Sequence, residues 1–167
     1  MSRQLSIMFQ KKRKKVKNKN NDQYLAYLNQ SIYLNKSFLP SYIELADYYS
    51  KHSNHQHAIG ILEELKEKYP NYSKIKDKIK DYKIQLNIFK GDYFYKNFKY
   101  LYQSSGAESS KISYQAGIKS YEKALILDPH NVLAKKKYQN LISTYNRLMG
   151  EEQIPKVEIV KLKFQPV

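Results

Sequence analysis

Residues 39–72 read LPSYIELADYYSKHSNHQHAIGILEELKEKYPNY, and this stretch decides the fold. Its apolar and small residues fall at helical spacings on either side of a polar centre. The positions that define the pattern are Tyr42, Leu45, Ala46, Tyr49, Ala58, Leu62, Leu65 and Pro70. Pro40 suits a first helical turn, and Ser41 with Glu44 offers a capping box. Asn54 can cap a second helix, so the stretch predicts two helices joined by a turn and packed through small residues.

The end of this pattern recurs further along the chain. Gly117, Tyr121, Ala124 and Pro129 repeat the intervals of Ala58, Leu62, Leu65 and Pro70. This order of small, large apolar, small and proline positions is typical of a helix–turn–helix repeat of 34 residues. The sequence therefore resembles the tetratricopeptide repeat (TPR) family over about residues 22–149. The resemblance implies an all-α, short TPR-like helical solenoid that binds proteins, with 132–149 as its terminal capping helix before Gly150.

Between these two stretches the repeat pattern weakens. A stripe of apolar residues at intervals of four and three predicts one long amphipathic helix that ends near Tyr102. The stripe consists of Ile75, Ile79, Tyr82, Leu86, Phe89 and Tyr93. Residues 103–110 are rich in serine and contain Gly106, so we expect a mobile loop there.

The chain divides into three predicted regions: a disordered basic arm over 1–20, the solenoid over 21–150 and an extended C-terminal tail over 151–167. The full chain carries 30 Lys and Arg against 15 Asp and Glu, a net charge of +15. Within 1–20 there is no acidic residue, and the basic residues are Arg3, Lys11, Lys12, Arg13, Lys14, Lys15, Lys17 and Lys19. We expect these side chains to bind a polyanion, either RNA or an anionic membrane surface. The alternative is a solubilising or targeting tail.

Two segments are candidate partner-binding surfaces. The first is the aromatic block 93–102, from which we select Tyr95, Phe98 and Tyr102. Such a block packs in the protein's own core, contacts a protein or stacks on RNA bases. The second is the tail, where Ile159, Leu162 and Phe164 lie in a nearly alternating, strand-like pattern. It is either a loose tail or an extended peptide that lies along another protein.

Residues that commonly carry catalysis or metals do not form a recognisable motif. The chain has no cysteine, no glycine-rich phosphate loop and no run of 18 apolar residues. His52, His55 and His57 fall in the turn of the best repeat, where a solvated polar turn is the favoured interpretation and a metal site the alternative. We therefore expect no enzyme activity, no cofactor, no small-molecule substrate and no transmembrane segment.

Three functional hypotheses follow. The first is a noncatalytic TPR scaffold for protein–protein interaction that is one subunit of a larger assembly. The second is an RNA-associated accessory subunit of an organellar ribosome or another ribonucleoprotein, and the third is an assembly factor for a membrane complex. The abundance of Lys, Asn, Ile and Tyr favours an A/T-rich gene, and hence an organelle (mitochondrion or plastid) or the cytoplasm of an A/T-rich organism.

Overall fold

A computed structural model describes residues 21–150, and all regular secondary structure in that range is helical. The predicted all-α class is therefore confirmed. The helices are α1 (Asn21–Leu34), α2 (Leu39–Lys51), α3 (His55–Lys68), α4 (Ser73–Leu127) and α5 (Val132–Met149). The predictions of a disordered basic arm and of an extended tail concern residues outside the described range.

The described residues form two compact units, whose boundary lies between Leu86 and Asn87, inside α4. Unit 1 comprises residues 21–86 and unit 2 comprises residues 87–150. Each unit contains a hydrophobic core of its own. Each unit also contains a helical segment in which a small residue directly precedes an aspartate: Ala46-Asp47 in unit 1 and Gly91-Asp92 in unit 2.

The α2–α3 hairpin of unit 1 forms where the sequence predicts it. Pro40 lies in the first turn of α2, where its missing N–H costs no hydrogen bond. Ser53 takes a positive φ of 62° in the turn, and the Asn54 side chain accepts a hydrogen bond from the His57 backbone N–H at 3.3 Å. The predicted cap of the second helix is therefore confirmed.

The predicted capping box at Ser41 and Glu44 is wrong, because α2 begins two residues earlier, at Leu39. Both side chains instead bind α1. The Ser41 hydroxyl is fully buried and lies 2.8 Å from that of Ser31, and Glu44 accepts a hydrogen bond from the Tyr24 hydroxyl at 3.1 Å. A buried hydroxyl needs a partner, and the neighbouring helix supplies one that local sequence does not reveal.

The core of unit 1 is built from α2, α3 and the start of α4. Ala46 and Ala58 have no exposed surface, so the two helices of the hairpin can approach closely. The buried set is Ala46, Ala58, Ile59, Leu62, Leu65, Ile75, Ile79 and Tyr82. Burial of a side chain such as Leu62 contributes about 1.5–3 kcal/mol to stability.

In unit 2, α4 consists of two helical arms that meet at a kink at Gly106, inside the segment predicted as a loop. Only Gly106 leaves helical geometry, with φ 83° and ψ −176°, a conformation that is essentially restricted to glycine. The predicted break between two helices is therefore present, but the loop predicted over 103–110 is reduced to this one residue. The hydroxyls of Ser109 and Ser110 donate to the carbonyls of Ser105 and Ala107, at 3.2 and 2.7 Å, so serine bonds within the helix rather than ending it.

The core of unit 2 lies between the two arms of α4 and α5. Its buried members are Phe98, Tyr121 and Leu141, and partly buried rings surround them. The predicted helix over 132–149 is confirmed: the Asn131 side chain accepts from the Ala134 N–H at 3.0 Å, and the helix ends at Gly150.

The predicted apolar stripe of α4 holds only in unit 1. Ile75 and Ile79 are buried there, but Phe89 is 48% exposed and Tyr93 is 57% exposed. Beyond residue 86 the helix packs within unit 2, where Phe98 lies on a different face and occupies the core. The predicted stripe is too long because the first arm of α4 contributes residues to two different cores.

Candidate functional site

Each unit contains one aspartate that receives a lysine and a tyrosine from other helical segments. Asp47 binds the Lys78 ammonium at 2.6 Å and accepts a hydrogen bond from the Tyr82 hydroxyl. In unit 2, Asp92 binds Lys137 at 2.6 Å and accepts from Tyr121 at 2.8 Å. These side chains lie 29 to 45 residues apart in sequence. Asp47 therefore joins α2 to α4, whereas Asp92 joins both arms of α4 to α5.

The two networks occupy corresponding places in the sequence. Lys78 follows Pro70 by eight residues, and Lys137 follows Pro129 by eight. Asp47 directly follows Ala46, and Asp92 directly follows Gly91. The lysine–aspartate ion pair is therefore repeated between equivalent helices of the two units.

A second polar contact recurs at the same sequence distances from the aspartate and the proline in both units. Three residues beyond each aspartate stand Ser50 and Tyr95, and fifteen residues beyond each proline stand Gln85 and Thr144. The Ser50 hydroxyl donates to Gln85 at 2.9 Å, and the hydroxyls of Tyr95 and Thr144 lie 3.0 Å apart. The residue types differ, yet a polar pair joins the same two helices in each unit.

The tyrosine that donates to the aspartate comes from non-equivalent helical segments in the two units. Unit 1 has Leu62 on α3 and Tyr82 on α4, whereas unit 2 has Tyr121 and Leu141 at the corresponding positions. All four side chains are buried. A leucine and a tyrosine have exchanged places, so the aspartate of each unit retains its phenolic donor.

The tyrosines of these networks are held in the protonated form. Burial, and then the hydrogen bond to Asp47, raise the pKa of Tyr82 far above its ordinary value. The same causes, with Asp92 as the acceptor, raise the pKa of Tyr121. A phenol that keeps its proton can donate a hydrogen bond to a carboxylate, which is a packing role.

The three turn histidines make three separate contacts. His52 bonds through Nδ1 to the Tyr48 carbonyl at 2.8 Å, and His57 packs edge-on against the Tyr49 ring. His55 is buried, contrary to the expected solvated turn, and its Nδ1 lies 3.0 Å from the Ser50 hydroxyl. Burial lowers the pKa of His55. Within residues 21–150, no group of three His, Cys, Asp or Glu side chains is arranged to hold a metal ion.

The three ring residues selected from the aromatic block pack inside unit 2. Phe98 has no exposed surface, so its assignment to a partner-binding surface is wrong. Tyr95 is hydrogen-bonded to Thr144, and the Tyr102 hydroxyl donates to the Leu148 carbonyl, so both rings are fixed on α5. Helical spacing could have separated them from the exposed rings, because residues 95, 98 and 102 share one face of a helix.

The exposed rings of the same block form a different surface. Tyr93 is 57% and Tyr100 is 69% exposed, and Lys96 lies between them in the sequence and is exposed. These residues and the half-exposed Phe89 recur at intervals of four, three and four, which places them on one face of α4. We call Phe89, Tyr93, Lys96 and Tyr100 the aromatic–lysine face.

A second exposed apolar surface flanks the turn between α4 and α5. Ile126 is 53%, Val132 is 79% and Leu133 is 53% exposed. Sequence reasoning missed this surface, although its residues stand at fixed distances from Pro129. The corresponding residues around Pro70 in unit 1 are Glu67, Ser73 and Lys74. We call Ile126, Val132 and Leu133 the apolar turn.

An open depression in unit 1 offers no comparable chemistry. Its lining residues are Glu63, Lys66, Glu67, Pro70 and Lys76. The carboxylate of Glu63 already binds Lys83 at 2.9 Å, and both side chains are nearly half exposed. Mixed positive and negative side chains of this kind are typical of a solvated surface.

The remaining predicted site residues lie outside the described residues. They are the polyanion-binding set Arg3, Lys11, Lys12, Arg13, Lys14, Lys15, Lys17 and Lys19, and the tail residues Ile159, Leu162 and Phe164.

None of the helices within residues 21–150 combines the length and the apolar character needed to cross a lipid bilayer. In comparisons with known proteins, no protein family, no curated protein and no solved structure matches this chain.

Proposed function

We propose that this chain is a noncatalytic, TPR-like scaffold for protein–protein interaction and a subunit of a larger assembly. The repeated ion pair and the repeated polar pair support the TPR-like part of this proposal. They join equivalent helices in the two units, as expected when one helix–turn–helix element occurs twice.

The apolar turn carries the proposed interaction. Three exposed aliphatic side chains lie near one turn of unit 2, where unit 1 has a glutamate, a serine and a lysine. Unit 1 shows that the turn does not need apolar residues in order to form. Clustered exposed apolar side chains mark interaction surfaces in soluble proteins, so the difference points to binding.

The charge around the apolar turn specifies the kind of protein segment that fits it. Residues 87–150 contain ten Lys or Arg and four Asp or Glu, whereas residues 21–86 contain nine and eight. Lys123 and Lys136 are exposed within one helical turn of Ile126 and Leu133, respectively. The partner is therefore a protein segment with apolar side chains flanked by carboxylates. Such a segment complements the exposed apolar side chains and the excess of basic residues.

The test replaces the apolar turn by the residues of unit 1. The variant Ile126→Glu, Val132→Ser, Leu133→Lys should fold normally, because surface substitutions of this kind change stability by about 0.5 kcal/mol or less. The same three substitutions remove the aliphatic contacts. After nuclease treatment of the source cells, the wild-type chain should retain a protein partner that the variant loses.

A photo-crosslinking residue identifies the contact directly. Placed at Val132, it should crosslink a partner peptide that contains aliphatic residues and Asp or Glu. The matched control places the same residue at Ser73, the corresponding position in unit 1. Equal crosslinking at both positions, or retention of every partner by the triple variant, would remove the apolar turn as the binding surface.

The basic arm favours a second candidate function, an RNA-associated subunit of a ribonucleoprotein. Eight basic residues and no acidic residue occur among residues 1–20. Each phosphate that the arm neutralises contributes about 0.7–0.9 to the log–log salt slope of RNA binding. Deletion of residues 1–20 should lower that slope by several units, and an unchanged slope would argue against this role of the arm.

A further inference from the structure

The aromatic–lysine face has the geometry of a stacking platform. Tyr93 and Tyr100 are seven residues apart, which corresponds to about 10.5 Å along the helix axis at 1.5 Å per residue. This distance equals about three intervals of 3.4 Å between successive stacked bases. Two exposed rings at this spacing can hold bases that are separated by intervening nucleotides.

The charge of the segment complements a polyanion. No acidic residue occurs between Asp92 and Glu108, and Asp92 is itself bound to Lys137. Lys96 and Lys99 lie between the two rings in sequence, and Lys90 precedes them. Exposed rings interleaved with lysines and free of intervening carboxylates are the combination used to bind single-stranded nucleic acid.

The corresponding tyrosine of unit 1 is packed against other rings. Tyr48 follows Asp47 as Tyr93 follows Asp92. The Tyr48 ring lies 5.8 Å from Tyr24 on α1 and 4.2 Å from His52, measured between ring centroids, and it is only partly exposed. Tyr93 contacts the neighbouring Phe94 ring at 5.5 Å and still exposes more than half of its surface. The exposure of Tyr93 is therefore specific to unit 2.

We propose that the aromatic–lysine face binds single-stranded RNA, with Tyr93 and Tyr100 stacking on bases and Lys96 contacting the phosphates between them. This surface is separate from the apolar turn and differs chemically from the basic arm. The arm contributes a run of basic side chains, whereas the face recognises the bases of an unpaired strand.

The absence of tryptophan from the chain makes a direct test possible. Full-length variants Tyr93→Trp and Tyr100→Trp each contain a single indole on the face. Tyr33→Trp is the matched control, because Tyr33 is 80% exposed on α1. An oligouridine of about twelve nucleotides should quench the fluorescence of the first two variants as it stacks on them, and should leave the control unchanged.

Inorganic polyphosphate separates stacking from charge. It should bind the basic residues without quenching the indole at position 93 or 100. In the same assay, Tyr93→Ala with Tyr100→Ala should weaken oligouridine binding by about five- to 150-fold for each ring that stacks. A duplex RNA of the same length should gain little from the rings, because its bases are already paired and stacked.

Several results would overturn the proposal: no quenching at positions 93 and 100, equal quenching at position 33, or equal quenching by polyphosphate. Unchanged RNA affinity of the double alanine variant, together with loss of a nuclease-resistant protein partner, would assign the face to protein binding instead. The apolar-turn variant should bind oligouridine normally, so the two proposals fail independently.

Discussion

Units 1 and 2 are stabilised by equivalent polar contacts but present different surfaces. In each, an aspartate binds a lysine eight residues beyond a proline, and a polar pair joins the same two helices. Around those contacts, unit 1 is nearly balanced in charge, while unit 2 is basic and exposes Tyr93, Tyr100 and the apolar turn. The shared interior therefore accounts for folding, and the surface of unit 2 contains the candidate binding chemistry.

The largest expected effect concerns Phe98, which is fully buried in unit 2. Phe98→Ala should lower the free energy of unfolding by about 3–5 kcal/mol, because it removes a core ring and leaves a cavity. Tyr100→Ala, on the exposed side of the same helix, is the control and should change stability by about 0.5 kcal/mol or less. Denaturant unfolding followed by circular dichroism measures both, and equal effects would contradict this assignment of the two faces.

A smaller effect is expected from the residue before Asp92. A Cβ atom at Gly91 would lie 2.4 Å from the Tyr121 ring, whereas Ala46 occupies the corresponding place in unit 1 opposite a leucine. Gly91→Ala should therefore cost about 1–3 kcal/mol through overpacking. Alanine otherwise favours a helix, so a stabilised variant would show that the ring moves away freely.

The exchange of Leu and Tyr between the units provides the rescue for Gly91→Ala. Adding Tyr121→Leu and Leu141→Tyr gives unit 2 the arrangement of unit 1, with the phenol supplied from the third helix. The triple variant should recover most of the lost stability, as measured by the same denaturant unfolding. Failure to recover it would show that the two networks are not interchangeable.

The sequence predicts the parts of this fold that depend on neighbouring residues. The α2–α3 hairpin, the Asn54 cap and the stop at Gly150 follow from local spacing and capping chemistry. The Asp92–Lys137 pair was missed because its members are 45 residues apart, and no local pattern pairs them. Serine-rich composition in 103–110 is a weak indicator of a loop, since the serine hydroxyl can bond within a helix.

The candidate surfaces were harder to predict than the fold. The sequence indicates that the aromatic block 93–102 is unusual, but its composition does not separate the buried face, which contains Phe98, from the exposed face. The apolar turn becomes noticeable only after unit 1 shows polar residues at the same positions. Comparing the two units shows which exposed residues differ at equivalent positions, and a sequence pattern taken alone does not show this.

Acid should destabilise unit 1 through His55. Burial lowers the pKa of His55, so the unfolded chain binds a proton more readily than the folded one. Stability from this residue should be present above the unfolded pKa of about 6.5 and should fall as the pH drops below it. Melting temperatures at about pH 7.5 and pH 5.5 should differ less in His55→Gln than in the wild-type chain. His52→Gln is the exposed control, and an equal change in both variants would argue against His55.

The smallest expected effect tests whether ion pairs found in both units contribute more to stability than an ion pair found in one. Lys83 binds Glu63 in unit 1, but the corresponding residues in unit 2 are Ile142 and Glu122, so this pair does not recur. Its side chains are 44% and 49% exposed, and Lys83→Gln should change the free energy of unfolding by about 0.3 kcal/mol or less.

The recurring pair gives the comparison for this last prediction. Lys78 and Asp47 are each about one-third exposed, and Asp47 also holds the Tyr82 hydroxyl, so the aspartate is oriented before the lysine binds. Lys78→Gln should therefore cost more than Lys83→Gln, up to about 1 kcal/mol. Double-mutant cycles for each pair, at low and high salt, measure the two coupling energies without the background effect of each substitution. A larger coupling for the exposed pair would show that the repeated contact is a consequence of the shared helix geometry and contributes little to holding it.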